Sequence, residues 1–70
     1  MNGWDQLDPG TRELAESILT RRQLDVLKLH TVGWGYGRIS RVLGISTTTV
    51  RGHLDAALLK LANHDPEAHP

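Results

Sequence analysis

Three consecutive threonines, Thr47-Thr48-Thr49, followed two places later by Arg51, are the residues of this chain best suited to chemistry with a partner. A threonine hydroxyl both donates and accepts hydrogen bonds. A guanidinium offers a planar fork of donors that matches paired acceptors, such as phosphate oxygens or the O6 and N7 of guanine. At the head of a helix these groups sit beside unpaired backbone amides, which themselves attract anions. Gly52, His53 and Asp55 continue the same segment, and Tyr36, Arg38 and Arg41 lie just upstream. An aspartate repels phosphate, but it can accept a hydrogen bond from cytosine N4. His53 has two readings: packing beside an apolar stripe, or turning one ring nitrogen toward a phosphate.

Other constellations carry less. His30, His53, His64 and His69 lack the spacing of metal ligands, so neither a metal nor another cofactor is expected. Gly33, Gly35 and Gly37 look like a phosphate loop only at first sight. They follow a helix rather than a strand, and Ser40 stands where the last glycine of Gly-x-Gly-x-x-Gly would fall. No nucleophile with its base and no catalytic carboxylate pair is evident, and the chain reads as a non-enzyme. Asp5 with Asp8, and Glu13 with Glu16, read as a solvated acidic face.

The elements that must position these residues can be read from caps and periodicity. Asp8-Pro9 is an N-cap followed by a first helical residue, which starts a short helix to about Ile18 with Leu14, Ile18 and Leu19 as its apolar patch. Thr20 and Gln23 have capping-box spacing and open a second helix, which carries Leu24, Leu27 and Val26 to about Val32 and stops at Gly33. A third helix, from about Tyr36 to Leu43, turns Ile39, Val42 and Leu43 inward and ends at Gly44. Ile45 plugs the turn and Ser46 caps a fourth helix, Thr47 to about Ala62, with Val50, Leu54, Leu58 and Leu61 as its buried stripe. Ala57 and Leu59 widen that apolar side, either to bury the first helix or to form a two-fold contact. Trp34 fills the core under the turn or lies on a nucleic-acid backbone. Residues 1–7 read as a flexible arm, 8–62 as one domain, and 63–70 as a flexible tail.

Two short helices joined by Gly44-Ile45-Ser46 describe a helix-turn-helix over residues 36–53, whose second helix fits a major groove about 12 Å wide. Net charge is zero, which alone argues against a polyanion partner, yet the charge is segregated. Residues 1–20 carry −3, residues 21–53 carry +5 and residues 54–70 carry −2. The basic middle coincides with the helix-turn-helix, and such asymmetry speaks to partners more than to fold. No apolar run nears the roughly 20 residues that span a bilayer, and no secretory leader is recognisable, so a cytoplasmic protein is expected. The absence of cysteine leaves no disulfide to support so small a domain.

From Leu19 to Leu61, 43 of the 70 residues, the chain resembles the LuxR/GerE-type helix-turn-helix. The residues that carry the resemblance are Leu19-Thr20, Arg22, Val26-Leu27, Gly33, Ile39, Leu43, Ile45-Ser46, Thr49-Val50-Arg51, His53 and Lys60-Leu61, in unbroken spacing. Gly35-Tyr36 replaces the serine-asparagine pair that usually opens the third helix, and Arg38 replaces a glutamate. Gly52 and Asp55 occupy positions that often bear groove-facing side chains. The resemblance implies an all-α, four-helix domain of the winged-helix-like superfamily, here with an extra N-terminal helix and without the C-terminal dimerisation helix. It also implies a bacterial or phage transcription regulator that inserts helix 47–62 into promoter or operator DNA. The implied contacts are Thr47, Thr48, Thr49, Arg51, Gly52, His53, Asp55, Arg38, Arg41 and Tyr36, with double-stranded DNA as partner. An alternative is a protein-interaction module like the promoter-reading region of sigma factors, acting on RNA polymerase, a sigma factor or another regulator. Monomer and homodimer both stay open.

Overall fold

The computed structural model describes residues 3–64 and contains four helices. These are α1 (Pro9–Ile18), α2 (Arg21–Thr31), α3 (Tyr36–Leu43) and α4 (Thr47–Asn63), with no strand among the described residues. Three of the four helices, α1, α2 and α4, begin at a side-chain cap. Asp8 accepts hydrogen bonds from the amides of Gly10 (3.0 Å) and Thr11 (3.3 Å), and Pro9 occupies the first turn of α1. The capping box of α2 is complete: the Gln23 amide donates to the Thr20 hydroxyl at 3.2 Å, and the Thr20 amide donates to Gln23 Oε1 at 3.1 Å. That same Oε1 accepts from Lys60 Nζ at 2.8 Å and so ties the head of α2 to the last turn of α4.

The α3–α4 turn is equally local. Gly44 adopts φ 70° and ψ 33°, a left-handed conformation that costs an L-residue about 1–2 kcal/mol. The amides of Gly44 and Ile45 both donate to the Ser40 carbonyl and close the end of α3. Ser46 then caps α4, accepting from the Thr49 amide at 3.1 Å.

Helix α4 is the central element, packed against α1, α2 and α3, while α2 also packs on α3. The core contains Ala15 and Leu19 at the end of α1, Val26 and Leu27 of α2, Ile39 of α3, and Val50, Leu54 and Ala57 of α4. Burying a side chain such as Ile39 or Val26 contributes about 1.5–3 kcal/mol each. Leu43, Ile45 and Trp34 pack half-buried against this core around the turn.

Three expectations about packing are corrected. The segment 1–7, expected as a loose arm, is packed over the part described. Residues 3–7 form turns, and Trp4 is a core residue at 9% exposure with Lys28 Nζ 5.1 Å from its ring centroid. A Cβ on Gly3 would overlap the Thr31 carbonyl, so the segment lies directly on the end of α2. The buried stripe of α4 is Val50, Leu54, Ala57 and half-buried Leu61, whereas Leu58 is 49% exposed. At about 100° per residue, Ala57 falls within about 20° of Val50 and Leu58 lies about 80° away, so the smaller residue faces the core. Val42 is also exposed, at 59%, because Ile39 and Leu43 already fill the side of α3 that meets the core. It borders a shallow groove with Asp25, Lys28, Leu29 and Leu43. The segment from residue 65, most of the expected tail, lies outside the described residues.

Candidate nucleic-acid interface

The burial pattern divides α4 into two faces. Val50, Leu54 and Ala57 hold one face to the core, which turns Thr48, Arg51, Gly52 and Asp55 outward, and all four are exposed. The Arg51 side chain is 72% exposed, so the most informative cation of the segment is neither buried nor covered by the rest of the fold. Its Nε lies 3.9 Å from Asp55 Oδ2, one turn along the helix. Such an exposed pair contributes about 0.3–0.5 kcal/mol, small enough for a stronger acceptor to displace it.

The three threonines are not equivalent. Thr47 and Thr48 are exposed, and their hydroxyls make no hydrogen bond among the described residues. The Thr49 hydroxyl is 2.8 Å from Ser46 Oγ, and Thr49 thus belongs to the cap. The Ser46-x-x-Thr49 spacing was the signal for this arrangement. His53 is half-buried, on the flank between the core face and the open face.

Helix α3 supplies a second, smaller set. Its hydrophobic anchor is Ile39, and Tyr36, Arg38 and Arg41 are exposed around it. Gly35 gives α3 no side-chain cap, in contrast to the other three helices. The Tyr36 ring sits tilted against His30, with centroids 6.4 Å apart. The Arg38 guanidinium stacks over Trp34, with Cζ 3.9 Å from the ring centroid. Trp34 therefore does two things at once: it packs against the core and carries a cation on its ring. Sequence reasoning missed this pairing, although the four-residue spacing was visible. Arg41 has no ion pair among the described residues.

No group of three metal-binding side chains gathers among the described residues, and no described helix is long and apolar enough to cross a membrane. What the geometry offers is a polar, donor-rich strip along the head of α4, joined by a tight glycine turn to α3, on which Arg38 and Arg41 are also exposed.

An all-helical domain in which α3, the Gly44 turn and α4 form this unit is a helix-turn-helix protein. The family described as "Bacterial regulatory proteins, luxR family" (GerE) matches residues 17–68, 52 of the 70, and the chain belongs to it. It thereby carries the DNA-binding domain of a transcription regulator. Helix α1 lies almost wholly before the matched stretch. Neither a curated protein nor a solved structure matches the chain significantly.

Proposed function

We propose that this protein regulates transcription by inserting the N-terminal half of α4 into the major groove of a promoter or operator. The observation that supports this most directly is the bare first turn and a half of α4, with Thr47, Thr48, Arg51 and Gly52 exposed over a buried Val50 and Leu54. A helix about 10–12 Å across fits a groove about 12 Å wide only if its leading face is uncovered. In this reading Arg51 exchanges its weak contact with Asp55 for guanine O6 and N7. Thr47 and Thr48 bond phosphates or base edges, Thr49 holds the cap, and His53 and Tyr36 reach the backbone from the flanks. Arg38 and Arg41 meet phosphates as α3 crosses the strand. Asp55, freed from Arg51, faces cytosine N4. Gly52 lets the helix backbone approach the bases. The protein acts as a binder rather than an enzyme, in the cytoplasm where promoter DNA is found.

The test is random-sequence DNA selection followed by mobility-shift titration of the selected site from about 50 to 200 mM salt, since phosphate contacts make binding fall steeply over that range. A recovered site bound with a negative salt slope supports the proposal. No enriched sequence and no shift at the lowest salt would refute it. A palindromic site would further support action as a dimer, whose half-sites lie about one helical turn apart.

The Arg51–Asp55 pair and the acidic flanks favour one second reading, an interaction module docking on RNA polymerase, a sigma factor or another regulator. Arg51→Ala separates the two. It weakens DNA binding in the first reading and leaves partner capture intact in the second.

A further inference from the structure

Arg38 differs in circumstance from the other arginines of the interface. Arg51 has a carboxylate neighbour and Arg41 has none, whereas Arg38 lies on an aromatic ring 3.9 Å away. It has no hydrogen bond or ion pair among the described residues, so stacking is what orients it. The ring beneath it is itself held. Trp34 is half-buried and packs against the core, and the Trp34 amide donates to the Leu29 carbonyl at 3.2 Å. The backbone of Arg38 is pinned as well, since the next residue, Ile39, is fully buried.

Stacking uses the face of a guanidinium and leaves its N–H groups, which lie in the plane, free to donate. An arginine held this way offers an anion a fork of donors whose direction is set before binding, and less rotamer entropy is lost on contact. The approach is open too, because Arg38 and the nearby Gly35 and Gly37 are all exposed.

We infer that Trp34 is a positioning residue for DNA binding: its ring holds the Arg38 guanidinium edge-out toward a backbone phosphate. This rests on the DNA-binding reading of the helix-turn-helix. The pair supplies affinity and register rather than base choice, since a phosphate carries no sequence information. It is a pairwise device, so the value of Arg38 depends on the ring being present.

The experiment is a double-mutant cycle on the full chain with the selected DNA site, using Arg38→Gln, Trp34→Leu and both together, with Trp34→Phe as the conservative variant. Affinity is measured across salt concentration, and folding is checked by circular dichroism melting. Arg38→Gln is expected to reduce the salt slope by about 0.9, the loss of one phosphate contact. In the Trp34→Leu background the same change is expected to cost much less affinity and slope. Trp34→Phe, which retains an aromatic face and folds with less disturbance, preserves the Arg38 effect. NMR of the free protein gives an independent readout: the Arg38 side-chain protons shift upfield over the ring, and this shift disappears in Trp34→Leu. Equal losses for Arg38→Gln in the wild-type, Trp34→Leu and Trp34→Phe backgrounds would overturn the inference and leave DNA binding standing. A wild-type chain that binds no DNA overturns both readings together.

Discussion

Gly52 gives the sharpest separation of fold from function. It lies in the interior of α4, where glycine costs about 0.8–1.0 kcal/mol relative to alanine. A Cβ built there meets nothing within 4 Å and the position is exposed, so adding a methyl group to the free protein meets no steric obstacle. Gly52→Ala is therefore expected to stabilise the domain by about 1 kcal/mol, which for a chain of this size raises the melting temperature by about 4–8 °C. Gly52→Leu should stabilise nearly as much, since leucine has almost the same helix propensity. Binding should run the other way. In the proposed docking this position faces the groove, where a leucine side chain holds the helix off the bases. A loss of about tenfold or more, equivalent to about 1.4 kcal/mol, is expected for Gly52→Leu. The assays are thermal melting by circular dichroism and a titration of fluorescent operator DNA. A Gly52→Leu protein that melts higher and binds as tightly as wild type would refute the idea that this face meets DNA. A protein that melts lower would contradict the packing argument itself.

Other outcomes follow from the same structure. Arg51→Ala is expected to cost about 1–3 kcal/mol in binding and to relax base preference at one position of the site, measured by competition among single-base variants, while melting stays unchanged. Ser46→Ala removes the cap of α4 and should destabilise by about 1 kcal/mol in denaturant titration, whereas Thr47→Ala, outside the cap, should not. Ile39→Ala opens a cavity in a fully buried site and should cost about 2–5 kcal/mol, a large share of the stability of so small a domain, read as a lower urea midpoint. Leu58→Gln and Leu59→Gln, at exposed positions, should leave monomer stability within about 0.5 kcal/mol, and the mass read by sedimentation should change only if that face joins two copies.

Local chemistry made much of this molecule legible. Asp8-Pro9, the Thr20/Gln23 box, Gly44 and Ser46 each act within one turn of chain, so residue type alone located the starts of α1, α2 and α4 and the end of α3. Where two apolar residues stand side by side, the choice passes to packing. Ala57 and Leu58 are both compatible with an apolar stripe, and the close approach of the other helices selected the small one. Val42 failed as a core residue for a similar reason, with its neighbours Ile39 and Leu43 already committed. Trp4 was invisible because the polar and glycine positions around it give no periodicity, and Lys28, whose ammonium lies over its ring, is far along the chain. The link from Lys60 to Gln23 is likewise a product of tertiary contact. The open face of α4 followed from burial of Val50 and Leu54, which the structure retains from the expected stripe together with half-buried Leu61. The pairing of Arg38 with Trp34 needed the path of the chain before α3, which three glycines in five residues left undetermined.

The most direct measurement is an amide chemical-shift map of the isotopically labelled protein titrated with its selected DNA. The largest shifts are predicted at residues 47–52, with a second group at residues 36–41, while the amides of α1 barely move. Shifts concentrated on α1 or around Leu58 and Leu59, with the opening turns of α4 unaffected, would contradict the account.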